Sequence, residues 1–277
     1  MKISLFTDYG ALNSPPIFNS LSKGLIKLGH EVITNSLDAD VYVIWSLLFQ
    51  GRMAENRRIW QYAISKRIPI IVIEVSALHR NILWRIGVNG LTLPPHLFQE
   101  DRPEYLKIKL KPWTKSGDNI LICCQRSSSQ LWNNGDTYQW LLSTIRTVRQ
   151  YSDRHIIIRP HPREPIFFDF SAYNVSFQHP AKIQNTYDDY DFSLENIWIV
   201  INSSSSPAIQ SIINGVPVIT DFHSLAYPMS TKVADIEQPC YHHREQWLNQ
   251  LCHLEWYQSE LEDSTILSNI LRDVLIK

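Results

Sequence analysis

The feature that most constrains this chain is a rhythm in which short apolar runs of strand length alternate with amphipathic stretches of helical length. The pattern holds over the first 75 or so residues and resumes between residues 120 and 220. Apolar runs without polar alternation suit strands buried on both faces, and intervening helices are what parallel strands need as crossovers. In the first half, strands are expected at 3–6, 32–34, 41–45 and 70–74, with helices at 17–28 and 52–67. Phe18, Leu21, Leu25 and Leu28 mark one face of the earlier helix, and Gly29 supplies its stop. The Ile68-Pro69 step ends the later one.

The rhythm breaks after Gly90, where residues 91–119 are rich in Pro and charge and read as a linker. It restarts with strands at 120–124, 155–159, 197–201 and 217–220 and helices at 137–151 and 207–214. Two Trp-containing helical stretches, 244–254 and 258–276, close the chain. At 277 residues the length suits two modest domains. The expected fold is therefore α/β, with two Rossmann-like domains, 1–112 and 113–277, facing a central cleft. Ligands in such folds bind where loops and helix N-termini converge at the carboxyl ends of the strands.

A net charge of −1 and 44% hydrophobic residues exclude a disordered chain and give no overall sign of nucleic-acid binding. The opening MKISLFTDYG lacks a cationic segment followed by an apolar run, and no apolar stretch is long enough for a membrane span. Cys123, Cys124, Cys240 and Cys252 form no CxxC pair, so reduced thiols in a cytoplasmic protein are expected, with no metal site. His242 and His243 lack a third ligand and read as a solvated helix start.

Three strand ends in the second half carry anion-binding chemistry. After 155–159 comes Arg159-Pro160-His161-Pro162-Arg163, where two prolines hold an imidazole between two guanidinium groups, an arrangement suited to phosphate. After 197–201 comes Asn202-Ser203-Ser204-Ser205-Ser206-Pro207, a hydroxyl-rich entry to a helix that serves either as an anion site or as an ordinary N-cap. After 120–124 come Gln125, Arg126 and Ser127 to Ser129, with Trp132 downstream as a candidate for stacking on a base. Together these suggest a diphosphate or nucleotide. In the first half, Glu74 ends an otherwise apolar strand and is the favoured general base, with Asp8 its rival. The alternatives are pairing of Glu74 with Arg80 or Arg85, and a turn role for Asp8.

These residues resemble glycosyltransferases of the GT-B type. Arg-Pro-His-Pro at 159–162, and the serine run before Ala208, are similar to the HP and serine motifs of bacterial capsule polysaccharide transferases, including the Kdo and polysialic acid enzymes. The resemblance implies that His161, Ser204 and Ser205 contact the phosphate of a nucleotide-sugar donor, with no cofactor required. Gln210 stands where many GT-B enzymes have a ribose-binding Glu. That change bears on donor identity, for which a UDP-sugar is expected ahead of a CMP-sugar.

The chain also resembles glycosyltransferases of T-even-type phages through Thr7-Asp8-Tyr9-Gly10-Ala11, Ile44-Trp45-Ser46, Gly51-Arg52-Met53-Ala54, Ile73-Glu74-Val75 and Arg244-Glu245-Gln246-Trp247. This implies a DNA acceptor carrying 5-hydroxymethylcytosine and a host-cell cytoplasmic location. Residues 1–112 hold 14 Lys plus Arg against 9 Asp plus Glu, and 113–277 hold 12 against 18. A basic first half suits a polyanion. Arg52, Arg57, Arg58 and Arg80 are the expected acceptor contacts, with Trp45 and Trp84 filling the gap left by an extruded base. The alternative acceptor is a capsule or lipopolysaccharide glycan, with a CMP-activated sugar such as Kdo as donor. A protein that binds nucleotide or DNA without catalysis is the third possibility.

Overall fold

A computed structural model describes residues 1–94, 100–127, 132, 135–166, 168, 170, 173–180, 192–263 and 267–271. The chain forms two compact units, one of residues 1–102 with 249–277 and the other of 103–248.

The first unit begins with β1 (Lys2–Leu5), α1 (Pro15–Lys27), β2 (Glu31–Thr34), β3 (Val41–Trp45), α2 (Asn56–Lys66), β4 (Ile70–Val75) and β5 (Leu83–Val88). After α3 (Arg102–Tyr105), the second unit contains β6 (Asn119–Cys123), α4 (Thr137–Val148), β7 (His155–Arg159), β8 (Val175–Phe177), β9 (Ile197–Asn202), α5 (Ser206–Ile213) and β10 (Val218–Ile219). Within α6 (Glu245–Cys252) the chain returns to the first unit, where β11 (Glu255–Tyr257) joins the sheet.

Sheet order in the first unit is β11-β5-β4-β3-β1-β2. Strands β1 to β4 run parallel, and β5 and β11 are added antiparallel, each to its neighbour. All five residues of β3 are buried, as a strand covered on both faces requires. Helix α1 ends as its sequence implies: Gly29 is left-handed at φ +80, and the His30 amide returns to Leu25 O at 3.1 Å. Gly24, in the middle of α1, has a different task. A Cβ there would lie 2.2 Å from the Leu261 carbonyl oxygen, so only glycine lets the returning segment lie against the helix. Leu261, Leu267 and Leu271 are buried in the same core as Leu21, Leu25, Trp45 and Trp84.

The second unit has a five-stranded sheet of order β10-β9-β6-β7-β8, parallel throughout. From β6 the chain moves outward through β7 to β8, then crosses to β9 on the other side. The strand order thus reverses between β6 and β9, the switch point where parallel α/β sheets bind ligands.

The division departs from the expected 112/113 boundary at both ends. Residues on either side of 112 are tied into the second unit by Lys111 N to Ile213 O at 2.9 Å and Thr114 N to Gly215 O at 2.7 Å. Gly215 permits this approach, since a Cβ would meet Pro112 O at 2.0 Å. Arg244 adds hydrogen bonds to Ile212 O and Lys111 O and stacks over Trp113 at 3.9 Å. What reads as a linker is therefore partly built into the second unit. The final helix expected at 258–276 is only a 3₁₀ turn at Gln258–Glu262 in its first part, while 264–266 and 272–276 lie outside the described residues.

The new division also changes the charge picture. Residues 1–102 hold 11 Lys plus Arg and 8 Asp plus Glu, and 249–277 hold 2 and 5, so the first unit carries 13 of each. The basic character of the first half belongs to the linear sequence and is neutralised within the folded unit.

All four cysteines are free. Cys123, Cys124 and Cys252 are buried and Cys240 is exposed. Burial pushes the Cys123 thiol up to about 12, against the opposing charge of Arg159. Among the described residues, no helix is long and apolar enough to cross a membrane, and no group of three or more His, Cys, Asp or Glu could hold a metal ion.

Candidate functional site

The carboxyl ends of β6 and β9 are joined by side chains. Asn202, 2% exposed, donates from Nδ2 to Cys123 O at 2.9 Å and to Ser205 Oγ at 2.8 Å. Gln125 grips Ser204 through its whole amide: Nε2 donates to Ser204 Oγ at 2.9 Å, and Oε1 accepts from the Ser204 amide at 2.9 Å and hydroxyl at 3.1 Å. Ser203 Oγ donates to Asp221 Oδ2 at 2.6 Å, fastening the other side of the loop to the end of β10.

The serine loop is thus fixed before it enters α5. Ser205 is the N-cap residue, yet it makes no side-chain capping hydrogen bond, and Pro lies in the first turn. The ordinary-cap reading therefore fails. The first-turn N–H groups of an eight-residue helix stand beside two anchored hydroxyls, the kind of donor set that anion sites use.

Beside it, β7 ends in the Arg-Pro-His-Pro loop. Arg159 is 6% exposed, and its Nη1 donates to Gln178 O at 3.3 Å. His161 Nδ1 accepts from the Arg163 amide at 3.0 Å, which in the neutral ring puts the proton on Nε2 and makes that nitrogen a donor. Glu164, which its place in the sequence did not mark as functional, organises this edge. Its amide donates to His161 O at 2.9 Å, closing the turn. Its carboxylate accepts from the Ser127 amide at 3.0 Å and Thr137 Oγ1 at 3.0 Å, tying the β6 and β7 loops to the start of α4. An acidic residue directly after Arg163 was the only available signal. Arg126 is half-buried, and Ser127 and Arg163 are exposed; Ser128 and Ser129 lie outside the described residues. Gln210 is half-buried on α5.

Next to the serine loop is a cavity of about 420 Å³. Trp140, Thr144, Ile201, Asn202, Thr220 and Asp221 contribute to its walls. Such a volume is within the range of small-ligand sites, about 300–1,000 Å³.

Trp132 is not a stacking surface. It is 8% exposed, packs edge-on against Trp140 and donates from Nε1 to Gly135 O at 2.7 Å. Trp45 and Trp84 likewise belong to the core of the first unit, at 1% and 6% exposure with rings 5.4 Å apart, so neither is available to a base. An indole near an element boundary gains more from burial than from waiting for a ligand. Of the expected acceptor arginines, Arg58 pairs with Glu55, Arg57 lies over Phe49 at 5.7 Å, Arg52 is exposed and Arg80 is half-buried.

The carboxyl edge of the first sheet holds both candidate bases. Asp8 is exposed in a 3₁₀ turn after β1, where its amide donates to Asn35 Oδ1 at 3.3 Å. Glu74 is half-buried near the end of β4. Its Oε2 accepts from Ser46 Oγ at 2.5 Å and its Oε1 from the Val75 amide at 2.9 Å. Arg85 stands opposite Glu74 in register but pairs with Glu255 at 3.0 Å, both side chains being buried.

Two Rossmann-like α/β units, the first with a mostly parallel sheet and the second with a wholly parallel one, are the construction of the GT-B fold. Two solved structures are similar to the chain along most of its length, both of KpsC from Thermosulfurimonas dismutans. The β-Kdo 2,7 transferase has a TM-score of 0.55 and 14% identity, with 93% of this chain and 92% of that one covered. The β-Kdo 2,4 transferase has a TM-score of 0.52 and 12% identity over the same shares. No protein-family model matches the chain, and no curated protein matches it by sequence, which leaves the likeness to phage enzymes without support.

Proposed function

We propose that this protein is a glycosyltransferase that moves a sugar from a CMP-activated donor such as CMP-Kdo to a glycan acceptor. The observation that carries the reading is the anchored Gln125–Ser204–Ser205 cradle at the switch point of the second unit, with His161 on the loop after the next strand, β7. Its fold is shared with two Kdo transferases. A leaving nucleotide phosphate gains negative charge as the glycosidic bond breaks. Amide groups at the start of α5, the Ser205 hydroxyl, the Nε2–H of His161 and the positive charge of the arginines in the β6 and β7 loops are the groups that would meet that charge. Glu74 of the first unit supplies a carboxylate that takes the acceptor hydroxyl's proton if the reaction inverts configuration.

The DNA-acceptor reading came from the resemblance to phage enzymes, which no curated match supports, and the basic first half that agreed with it is not an excess in the folded unit. A glycan requires no such field. The test is nucleotide release by the purified protein from CMP-Kdo and from a panel of UDP-sugars, with and without oligosaccharide acceptors. CMP release that rises with a glycan acceptor is expected. Turnover with UDP-sugars alone would overturn the donor assignment, and no turnover with any donor would overturn the enzyme. Glu74→Gln should keep CMP affinity and lose turnover.

A further inference from the structure

Ser46 occupies the most constrained position at the carboxyl edge of the first sheet. It comes directly after β3, is 2% exposed and has φ +64, in the left-handed region that side-chain-bearing residues seldom adopt. Glycine or asparagine would take this conformation more readily. A serine kept at a backbone outlier asks what its hydroxyl does there.

That hydroxyl makes two hydrogen bonds whose directions are both determined. The Leu48 amide can only donate, and it donates to Ser46 Oγ at 2.9 Å. The hydroxyl proton is therefore left for the Glu74 carboxylate, 2.5 Å away. The Ser46 amide also donates to Ile73 O at 2.7 Å, extending the β3–β4 ladder by one residue and fixing Ser46 against the strand that carries Glu74. With the Val75 amide on Oε1, each carboxylate oxygen is held by one donor, and each keeps a further lone pair for a proton or a substrate hydroxyl. The left-handed turn is what brings the serine side chain across to the neighbouring strand end.

We propose that Ser46 is a positioning residue for Glu74, holding its carboxylate in the one orientation from which it can act on the acceptor. The proposal rests on the glycosyltransferase reading, but it is tested in two ways, one of which needs no activity. Ser46→Gly removes the hydroxyl and relieves the backbone; Ser46→Ala removes the hydroxyl and keeps the left-handed demand.

In a crystal structure of the full-length Ser46→Gly protein, the Glu74 carboxylate should leave the position it holds in wild type. An unmoved carboxylate overturns the proposal, whether or not any donor turns over. In the transfer assay, both variants should lose on the order of 10-fold or more in kcat while the donor KM stays within about 2-fold, the pattern of a lost transition-state contact. Full kcat in Ser46→Gly would reduce the residue to a backbone role and refute positioning. A wild-type protein inert toward every donor would refute the glycosyltransferase reading alone, and the crystallographic comparison would still decide the role of Ser46.

Discussion

Gly24→Ala sets two known effects against each other. In an isolated helix the change is favourable by about 1 kcal/mol, because alanine loses less backbone entropy than glycine. Here the new Cβ would lie 2.2 Å from Leu261 O and 2.3 Å from Leu267 Cδ1, against 3.4 Å or more for ordinary contact. The leucine side chain can rotate, but the carbonyl belongs to backbone and must retreat by roughly 1 Å, an overpacking strain of about 1–3 kcal/mol. Retreat also loosens Leu261, Leu267 and Leu271, all at most 4% exposed, and full exposure of each would cost about 1.5–3 kcal/mol more. The clash outweighs the propensity gain, and a net loss of about 1–3 kcal/mol is expected, which for a unit of this size lowers Tm by roughly 3–10 °C. Hydrogen exchange across 255–263 should rise more than exchange in β6 or β9. An unchanged or raised Tm with unchanged exchange would refute the claim that this glycine exists for the returning segment.

Glu255→Gln should be costlier. Removing one member of the buried Arg85–Glu255 pair strands a guanidinium, and a loss of about 3–5 kcal/mol in urea unfolding is expected; a loss under about 1 kcal/mol would show the pair to be dispensable. Gln125→Ala removes three hydrogen bonds to Ser204 and should weaken CMP binding by about 10-fold or more in calorimetry, by analogy with a lost supporting contact at a binding site; unchanged affinity would dissociate the serine loop from the donor. The Glu262 carboxyl is held below its usual 4.5 by hydrogen bonds from Ser20 and Lys23. Because its folded value is the lower one, its contribution is complete above the usual value and disappears as pH falls through the lowered one. Limited proteolysis at 258–263 should therefore increase on acidification and be insensitive to pH above neutrality.

The buried strands and their helices were legible in the sequence because continuous apolar runs such as 41–45 and 197–201 leave few alternatives. The positions of the three loops after β6, β7 and β9 were legible for the same reason, since a buried strand fixes the place of the loop at its end. Strands β5 and β11 were not, because each is an edge addition of mixed composition whose partner is distant in sequence: Arg85 makes sense in a strand only once Glu255 lies beside it. The tryptophans misled because an indole suits a core as well as a base. Glu164 and Ser46 were invisible as site residues, since their meaning lies in which backbone amides and carboxylates the fold brings to them.

The return of the chain to the first unit has a consequence for synthesis. On the ribosome, β1 to β5 emerge early, but the edge of β5 and the Arg85 side chain have no β11 to meet until residue 257 is made. The second unit is wholly translated before that point. An unpaired strand edge beside an uncovered leucine-rich face of α1 is an aggregation hazard for as long as it persists. The unit that is begun first is thus the one completed last, and the time spent translating some 150 residues is the interval in which it must avoid the wrong partner.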